Sequence, residues 1–260
     1  MSQNTGCNVI KPYSLLIQLA VLIVLFLTNF TVAANNLDLI KAVQSGDIKL
    51  VKEELKSKKK ANLKNTDGNP LLFTALANGN IQIAELLIKK GANPNASNQY
   101  GAPVLITAAG SGYDKIVSLL LKKGAKINAK FERYDNVTAL MLAAQDGHLG
   151  TVDVLLMNDA DVNAKTKNGD TALIAATAKG HVAIIKKLLN KGADINVRSE
   201  SGYTALFVAI SENNAALVKL LLAKGADPNI TDNNGDTPLK LASRIENAEV
   251  IKMIKTAGGR

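Results

Sequence analysis

The chain has 260 residues, 47% of them hydrophobic, with no Trp and aromatic side chains at only 4%. That apolar content excludes a disordered chain and is enough to bury a sizeable core. The formal net charge is +9, and the segment up to Ala34 contributes only Lys11 to it, so a chain without that segment carries +8 and keeps a strongly basic surface.

At the N-terminus, Lys11 precedes an apolar run from Leu15 to Leu27, broken by Gln18, and Val32-Ala33-Ala34 follows with small residues. This order is that of a secretory signal peptide and predicts removal of residues 1–34 by a cut after Ala34, or after Ala33. The alternative is an uncleaved anchor. A bilayer span needs about 20 residues, a length the strict run falls short of and reaches only if the mixed stretch to Ala34 is counted. Cys7 is the only cysteine and precedes the run. The mature chain then has no thiol, which excludes disulfides, cysteine nucleophiles and thiolate metal sites. An exported protein is expected, periplasmic or secreted, with a membrane-anchored form as the alternative. Asn95-Ala96-Ser97, Asn136-Val137-Thr138 and Asn229-Ile230-Thr231 have the form of glycosylation sequons, relevant only in a host that modifies secreted chains.

After Ala34 the chain repeats itself. Leu39, Leu72, Leu105, Leu140, Leu173, Leu206 and Leu239 recur at one constant interval, lengthened only between Leu105 and Leu140. Three positions after each stands an alanine: Ala42, Ala75, Ala108, Ala143, Ala176, Ala209 and Ala242. A small residue at that place predicts close approach of helices in adjacent units. Gly91-Ala92, Gly124-Ala125, Gly192-Ala193 and Gly225-Ala226 share one frame with Asp159-Ala160, and a glycine there serves as a helix C-cap. Between these marks lie two apolar-periodic stretches, such as Leu173–Lys179 and Val182–Leu189, too long for strands and parted by Gly180. Each unit is thus predicted to be a helix pair plus a turn. The first unit, with Lys49, Lys52, Lys56 and Lys58–Lys60 on its second helix, reads as a polar cap, and the last, through Ile251–Ile254 to Arg260, closes the other end.

Asn95, Asn128, Asn163, Asn196 and Asn229 follow the turn in each unit, where a short amide can bond neighbouring backbone and knit turns together. The sequence Gly235-Asp236-Thr237-Pro238-Leu239, with its variants Thr138-Ala139-Leu140, Thr171-Ala172-Leu173 and Thr204-Ala205-Leu206, resembles the Thr-Pro-Leu-His core of the ankyrin repeat family. Lys240 stands where that core has His, and Pro70 and Pro103 replace the Thr, so its side-chain hydrogen bond is expected to be missing there. In architecture the chain also resembles short exported bacterial members. The resemblance implies an all-α repeat solenoid of about seven stacked helix-turn-helix units with β-hairpin loops. One domain over 35–260 follows, with units at about 35–65, 66–98, 99–133, 134–166, 167–199, 200–232 and 233–260.

Catalytic constellations are not legible. His148 and His181 each follow a glycine between helices, where the family commonly has Gly-His, and sit in successive units about 10 Å apart, the spacing of stacked helices and too far to share one metal ion. The glycines at 91, 124, 192 and 225 end helices, whereas a phosphate cradle needs glycines leading into one. Glu53-Glu54 reads as a solvated helix face, and Asp232–Asp236 resembles a calcium loop but lacks its downstream Glu. No cofactor or metal, and no enzymatic activity, is expected.

The positive charge is patterned. Lys89-Lys90, Lys122-Lys123, Lys191 and Lys224 fall in the last turn of successive second helices, where cations offset the helix dipole, and stacking would align them as a stripe. With export arguing against nucleic acid, the stripe points to an acidic protein or an anionic membrane surface. Family stacks generally bind through hairpin tips and the exposed side of first helices. In this frame the predicted partner-binding residues are Gln99, Tyr100, Phe131, Arg133, Tyr134, Lys167, Asn168, Asp170, Glu200 and Tyr203 at the tips, and Gln145, Asp146, Lys179 and Glu212 on the helices. The two-residue insertion within Ala129–Asn136 makes one tip irregular, and Tyr134, Arg133 and Tyr100 are the predicted anchors. The expected function is a non-catalytic protein-binding module acting outside the cytoplasm as a monomer: an inhibitor, an immunity factor, or an assembly or stress-defence helper. An envelope-binding scaffold using the Lys stripe is the alternative.

Overall fold

The computed structural model describes residues 36–55 and 60–260. The expected signal segment, and Lys56, Lys58 and Lys59 of the polar cap, lie outside them. Among the described residues the chain is built from 14 helices without a sheet or barrel. They run in pairs: α1 (36–45) with α2 (Ile48–Glu54), α3 (Leu71–Ala77) with α4 (Ile81–Lys89), α5 (Val104–Gly110) with α6 (Asp114–Lys122), and α7 (Ala139–Gln145) with α8 (Leu149–Met157). Three more pairs complete the stack: α9 (Ala172–Ala178) with α10 (Val182–Asn190), α11 (Ala205–Ser211) with α12 (Ala215–Ala223), and α13 (Pro238–Arg244) with α14 (Ala248–Thr256). First helices pack on first helices and second on second, so the unit-to-unit contacts form two layers.

Local chemistry sets the helix limits. The hydroxyls of Thr138, Thr171, Thr204 and Thr237 accept the backbone N–H three positions on, at 3.2–3.4 Å, and cap the first helices of units four to seven. Pro70 and Pro103 hold the same place in units two and three without a side-chain cap, as expected from their chemistry. At the far end of the second helices, Gly91, Gly124, Gly192 and Gly225 take positive φ, and Asp159 takes the same conformation at φ 62° without being glycine. The frame also continues past the last unit: Gly258 has φ 87° and closes α14. Between the paired helices a second left-handed position recurs, and in the last two units it is filled by Asn213 and Glu246.

The hairpin loops are short. Among the described residues they are turns carrying at most one antiparallel bridge, Lys64 with Pro70, Ser97 with Pro103 and Phe131 with Val137. Pro70 and Pro103 are themselves the residues from which a helix starts, and Thr138, the cap of α7, comes directly after Val137, so no second strand residue exists to extend a ladder.

The core follows the two repeated columns. All seven alanines of the Ala42 column are buried, as are the leucines from Leu39 to Leu206. Leu239, in the last described unit, is only half-buried. The asparagines knit neighbouring units. Asn95 donates to the Gly124 carbonyl at 2.9 Å and accepts from the Lys126 N–H at 2.8 Å. Asn163 does the same with Gly192 and Asp194, and Asn229 with Gly258 and Arg260. Asn62, one repeat before Asn95 in the same column, joins Gly91 and Asn93. No helix among the described residues is long and apolar enough to cross a membrane.

Candidate functional site

Each first helix turns one row of side chains toward the tip that precedes it, and stacking sets these rows side by side. In unit four the row is Val137, Met141 and Gln145, and in unit five Asp170, Ile174 and Ala178. Unit six supplies Tyr203, Phe207 and Ser211, and unit seven Asp236, Lys240 and Arg244. The four-residue spacing within a row is that of one helix face. Two hollows lie along these rows and meet at Ala178. One, of 480 Å³, is bordered by Tyr134, Asp135, Met141, Gln145, Asp170, Ile174 and Lys179. The other, of 380 Å³, is bordered by Tyr203, Phe207, Glu212, Asp232, Asp236 and Arg244. Met141, Ile174 and Phe207 are buried and make an apolar floor. The Tyr203 and Phe207 rings stack with centroids 5.7 Å apart, leaving Tyr203 exposed above the buried Phe207.

The groove does not share the sign of the chain. Five carboxylates and two cations border the two hollows, a net of −3 on a protein of +9. Asp236 is paired within its own helix row: Lys240 Nζ lies 2.5 Å from one carboxylate oxygen and Arg244 Nη1 contacts the other. Lys240's hydrogen bond above all, with Arg244 beside it, holds the Asp236 carboxyl below the usual carboxylate range although burial opposes this. Asp170 is pushed the other way, first by burial and then by the neighbouring Asp135 charge. Asp232 accepts the backbone N–H groups of Asn234 and Asp236 at 2.8 and 2.9 Å, so the sequence that resembled a calcium loop is an internally bonded tip.

The irregular tip is ordered by its own hydrogen bonds. Phe131 N–H donates to the Val137 carbonyl at 2.9 Å, and the Phe131 carbonyl accepts from Tyr134 and Asn136. Asp135 and Asn136 both take left-handed φ, the conformation that glycine takes in the regular tips. The Tyr134 ring stacks on half-buried Phe131 at 5.9 Å and is itself 60% exposed. The Arg133 guanidinium lies over the Tyr100 ring of the preceding tip, 5.7 Å from its centroid. Tip-to-tip bonds continue along the stack: Lys167 Nζ donates to the Glu132 carbonyl, Asn168 to the Asp135 carboxylate, the Glu200 N–H to the Asn168 carbonyl, and Asn233 to the Glu200 carbonyl.

At the opposite ends of the second helices, Lys89 and Lys122 close α4 and α6 while Lys90, Lys123, Lys191 and Lys224 cap α4, α6, α10 and α12. Both histidines serve the stack. His148 Nε2–H donates to the Gly110 carbonyl at 2.9 Å and His181 Nε2–H to the Gln145 carbonyl at 3.0 Å, each reaching into the preceding unit. Each imidazole also fills the space beside a left-handed glycine: a Cβ on Gly112 would stand 2.6 Å from the His148 ring, and one on Gly147 2.7 Å from that of His181.

Family profiles described as ankyrin repeats, in three copies, match residues 39–131 and 129–199, and one described as ankyrin repeats in many copies matches 188–242. The chain belongs to the ankyrin repeat family. No curated protein matched it. Ankyrin repeats are generally protein–protein interaction modules and typically non-catalytic. Within this ankyrin stack the predicted residues fall into four groups. Tyr134, Gln145, Asp170, Lys179, Tyr203 and Glu212 border the groove, and Tyr100, Phe131 and Arg133 form the aromatic-basic tip beside it. Lys167 and Asn168 direct their side chains to the neighbouring tip, while Glu200 lends its backbone to that ladder. Gln99, whose N–H donates to Asn69, and Asp146 are exposed outside the groove lining. The floor residues Met141, Ile174 and Phe207 of the ankyrin groove were missed, although they stand one helical turn before Gln145, Ala178 and Ser211 on the same helix face.

Proposed function

We propose that this ankyrin stack is an exported, monomeric binding module that holds one partner protein across the groove of units four to seven and the tip at Phe131–Asn136. The observation that carries the reading is the set of exposed anchor side chains, Tyr100, Arg133 and Tyr134, held by stacking and cation–π contact on tips that are themselves cross-bonded. Anchors ordered before binding lose little side-chain entropy when a partner arrives. Export is supported by the Leu15–Leu27 run, by Val32-Ala33-Ala34 and by the confinement of cysteine to position 7. In such a compartment the module acts as an inhibitor, an immunity factor, or an assembly or stress-defence helper.

The test uses a partner captured from the native host and the triple change of Tyr100, Arg133 and Tyr134 to Ala. Affinity should fall by about a hundredfold or more, since several anchors of this type are removed together. Unchanged affinity in a variant that melts like the parent refutes the interface. N-terminal sequencing of the protein from fractionated cells tests export separately, with a mature chain beginning at Asn35 expected. A second reading rests on the Lys edge. Lys89, Lys115 and Lys122 outnumber Glu85 and Asp114 around a 420 Å³ hollow on α4, α6 and α8, and the small positive excess favours an anionic surface. Sedimentation with anionic vesicles that vanishes at moderate salt supports that reading, and no sedimentation at low salt rejects it.

A further inference from the structure

Asp170 and Asp236 occupy one place in the repeat, two units apart, at the head of the row each first helix presents to the groove. Their surroundings differ in one respect. In unit seven the next two positions of the row are Lys240 and Arg244, and both reach the Asp236 carboxylate. In unit five the same positions are Ile174 and Ala178, which carry no charge. The ion pairs among the described residues engage neither Asp170 nor Asp135. Asp135 stands on the irregular tip, accepts one hydrogen bond from Asn168, and borders the same hollow as Asp170.

We propose that the groove receives a segment of the partner protein whose Arg or Lys side chain docks on Asp170, in the place that Lys240 and Arg244 fill for Asp236. The inference rests on the groove being the binding surface, and it adds the chemistry of the occupant. Asp170 together with Asp135 offers a cation two carboxylates in a partly desolvated hollow, where a charge-assisted hydrogen bond is strong. Ile174 and Ala178, with Met141 beside them, put an apolar floor where unit seven has its cations, so the docking residue carries an aliphatic or aromatic neighbour. Lys179, which also borders the hollow, pairs with neither carboxylate. Glu212 and Asp232 further along the groove favour a second basic residue over an acidic one. Complementarity thus runs opposite to the net charge of the chain. Half-burial and the Asp135 charge raise the Asp170 carboxyl, and an incoming cation relieves that repulsion.

The test begins with random linear peptides displayed against the full chain, the best binder then being fluorescein-labelled as the probe for anisotropy. The selected peptide should contain Arg or Lys beside an apolar residue. Replacing that residue by citrulline or norleucine should weaken binding about tenfold or more, and Asp170→Asn should do the same. Ala178→Arg should also abolish binding, because the new guanidinium meets Asp170 from its own helix as Arg244 meets Asp236. Thermal melts establish that both variants fold. Peptides displaced by Ala178→Arg but bound equally by Asp170→Asn, whatever their composition, would overturn the cation inference and leave the groove reading standing. Selection of no binder, or of binders insensitive to both changes, overturns both.

Discussion

The guanidinium of Arg133 rests over the ring of Tyr100 at 5.7 Å, joining the irregular tip of one unit to the regular tip of the unit before it. Both side chains are exposed, so the pair contributes little to global stability but fixes where two anchors stand. A double-mutant cycle with Arg133→Ala and Tyr100→Ala should show a coupling of about 0.5–1 kcal/mol in urea unfolding, the range for an exposed cation–π pair. A coupling of zero would mean the two anchors are positioned independently.

Asp170 and Asp236 should respond to pH with opposite sign. The Asp236 carboxyl is depressed by Lys240 and then Arg244, so its contribution is present above the unfolded value of 3.8 and is lost as pH falls through the lower folded value. Asp170 is raised by burial and by Asp135. Its charged form is therefore disfavoured in the fold, a penalty complete above the raised folded value and absent below 3.8. At neutral pH Asp236→Asn should lower the melting temperature and Asp170→Asn should raise it, with both differences vanishing in acid. Same-signed shifts at neutral pH would contradict the assignment.

Glu246 holds a left-handed φ of 58° at the inter-helix position filled by glycine in the first five units. A branched or long L residue there costs about 1–2 kcal/mol, part of which glycine returns through its freer unfolded chain. Glu246→Gly should therefore stabilise by about 0.5–1 kcal/mol. The same change at Asn213 should give less, because a short amide tolerates that conformation. Chemical denaturation of both variants measures the difference.

Removing one asparagine staple should loosen the stack between two units. Asn163→Ala deletes the bonds to Gly192 and Asp194 at once and should cost about 1–2 kcal/mol. Because repeats interact only with nearest neighbours, hydrogen exchange should quicken most in units four and five, which this staple joins. Uniform acceleration across the stack would argue against a local staple.

Much of this architecture was legible in spacing alone. The Leu and Ala columns, the Thr caps, the uncapped Pro70 and Pro103, and Asp159 in a glycine frame all depend on bonds within one unit or on contacts repeated identically in each. A strict period along the chain displays such interactions directly. Asn62 and Gly258 keep the same period, one repeat before Asn95 and one after Gly225, although Lys58-Lys59 and Gly259 stand where the neighbouring motif has Gly-Ala and Ala.

The identity of each groove neighbour was decided by the tertiary structure. Spacing placed Tyr100, Arg133 and Tyr134 near one another, yet the stacking of Arg133 on Tyr100 depends on how the insertion folds at Phe131–Asn136. Net charge sums the whole surface, whereas the fold sets lysines at the ends of second helices and leaves five carboxylates against two cations along the groove. Sequence alone determined the stack because stacking rests on short-range, repeated contacts. Which residues face each other across units, and with what charge, was settled only when helices a full repeat apart in the chain came to lie side by side.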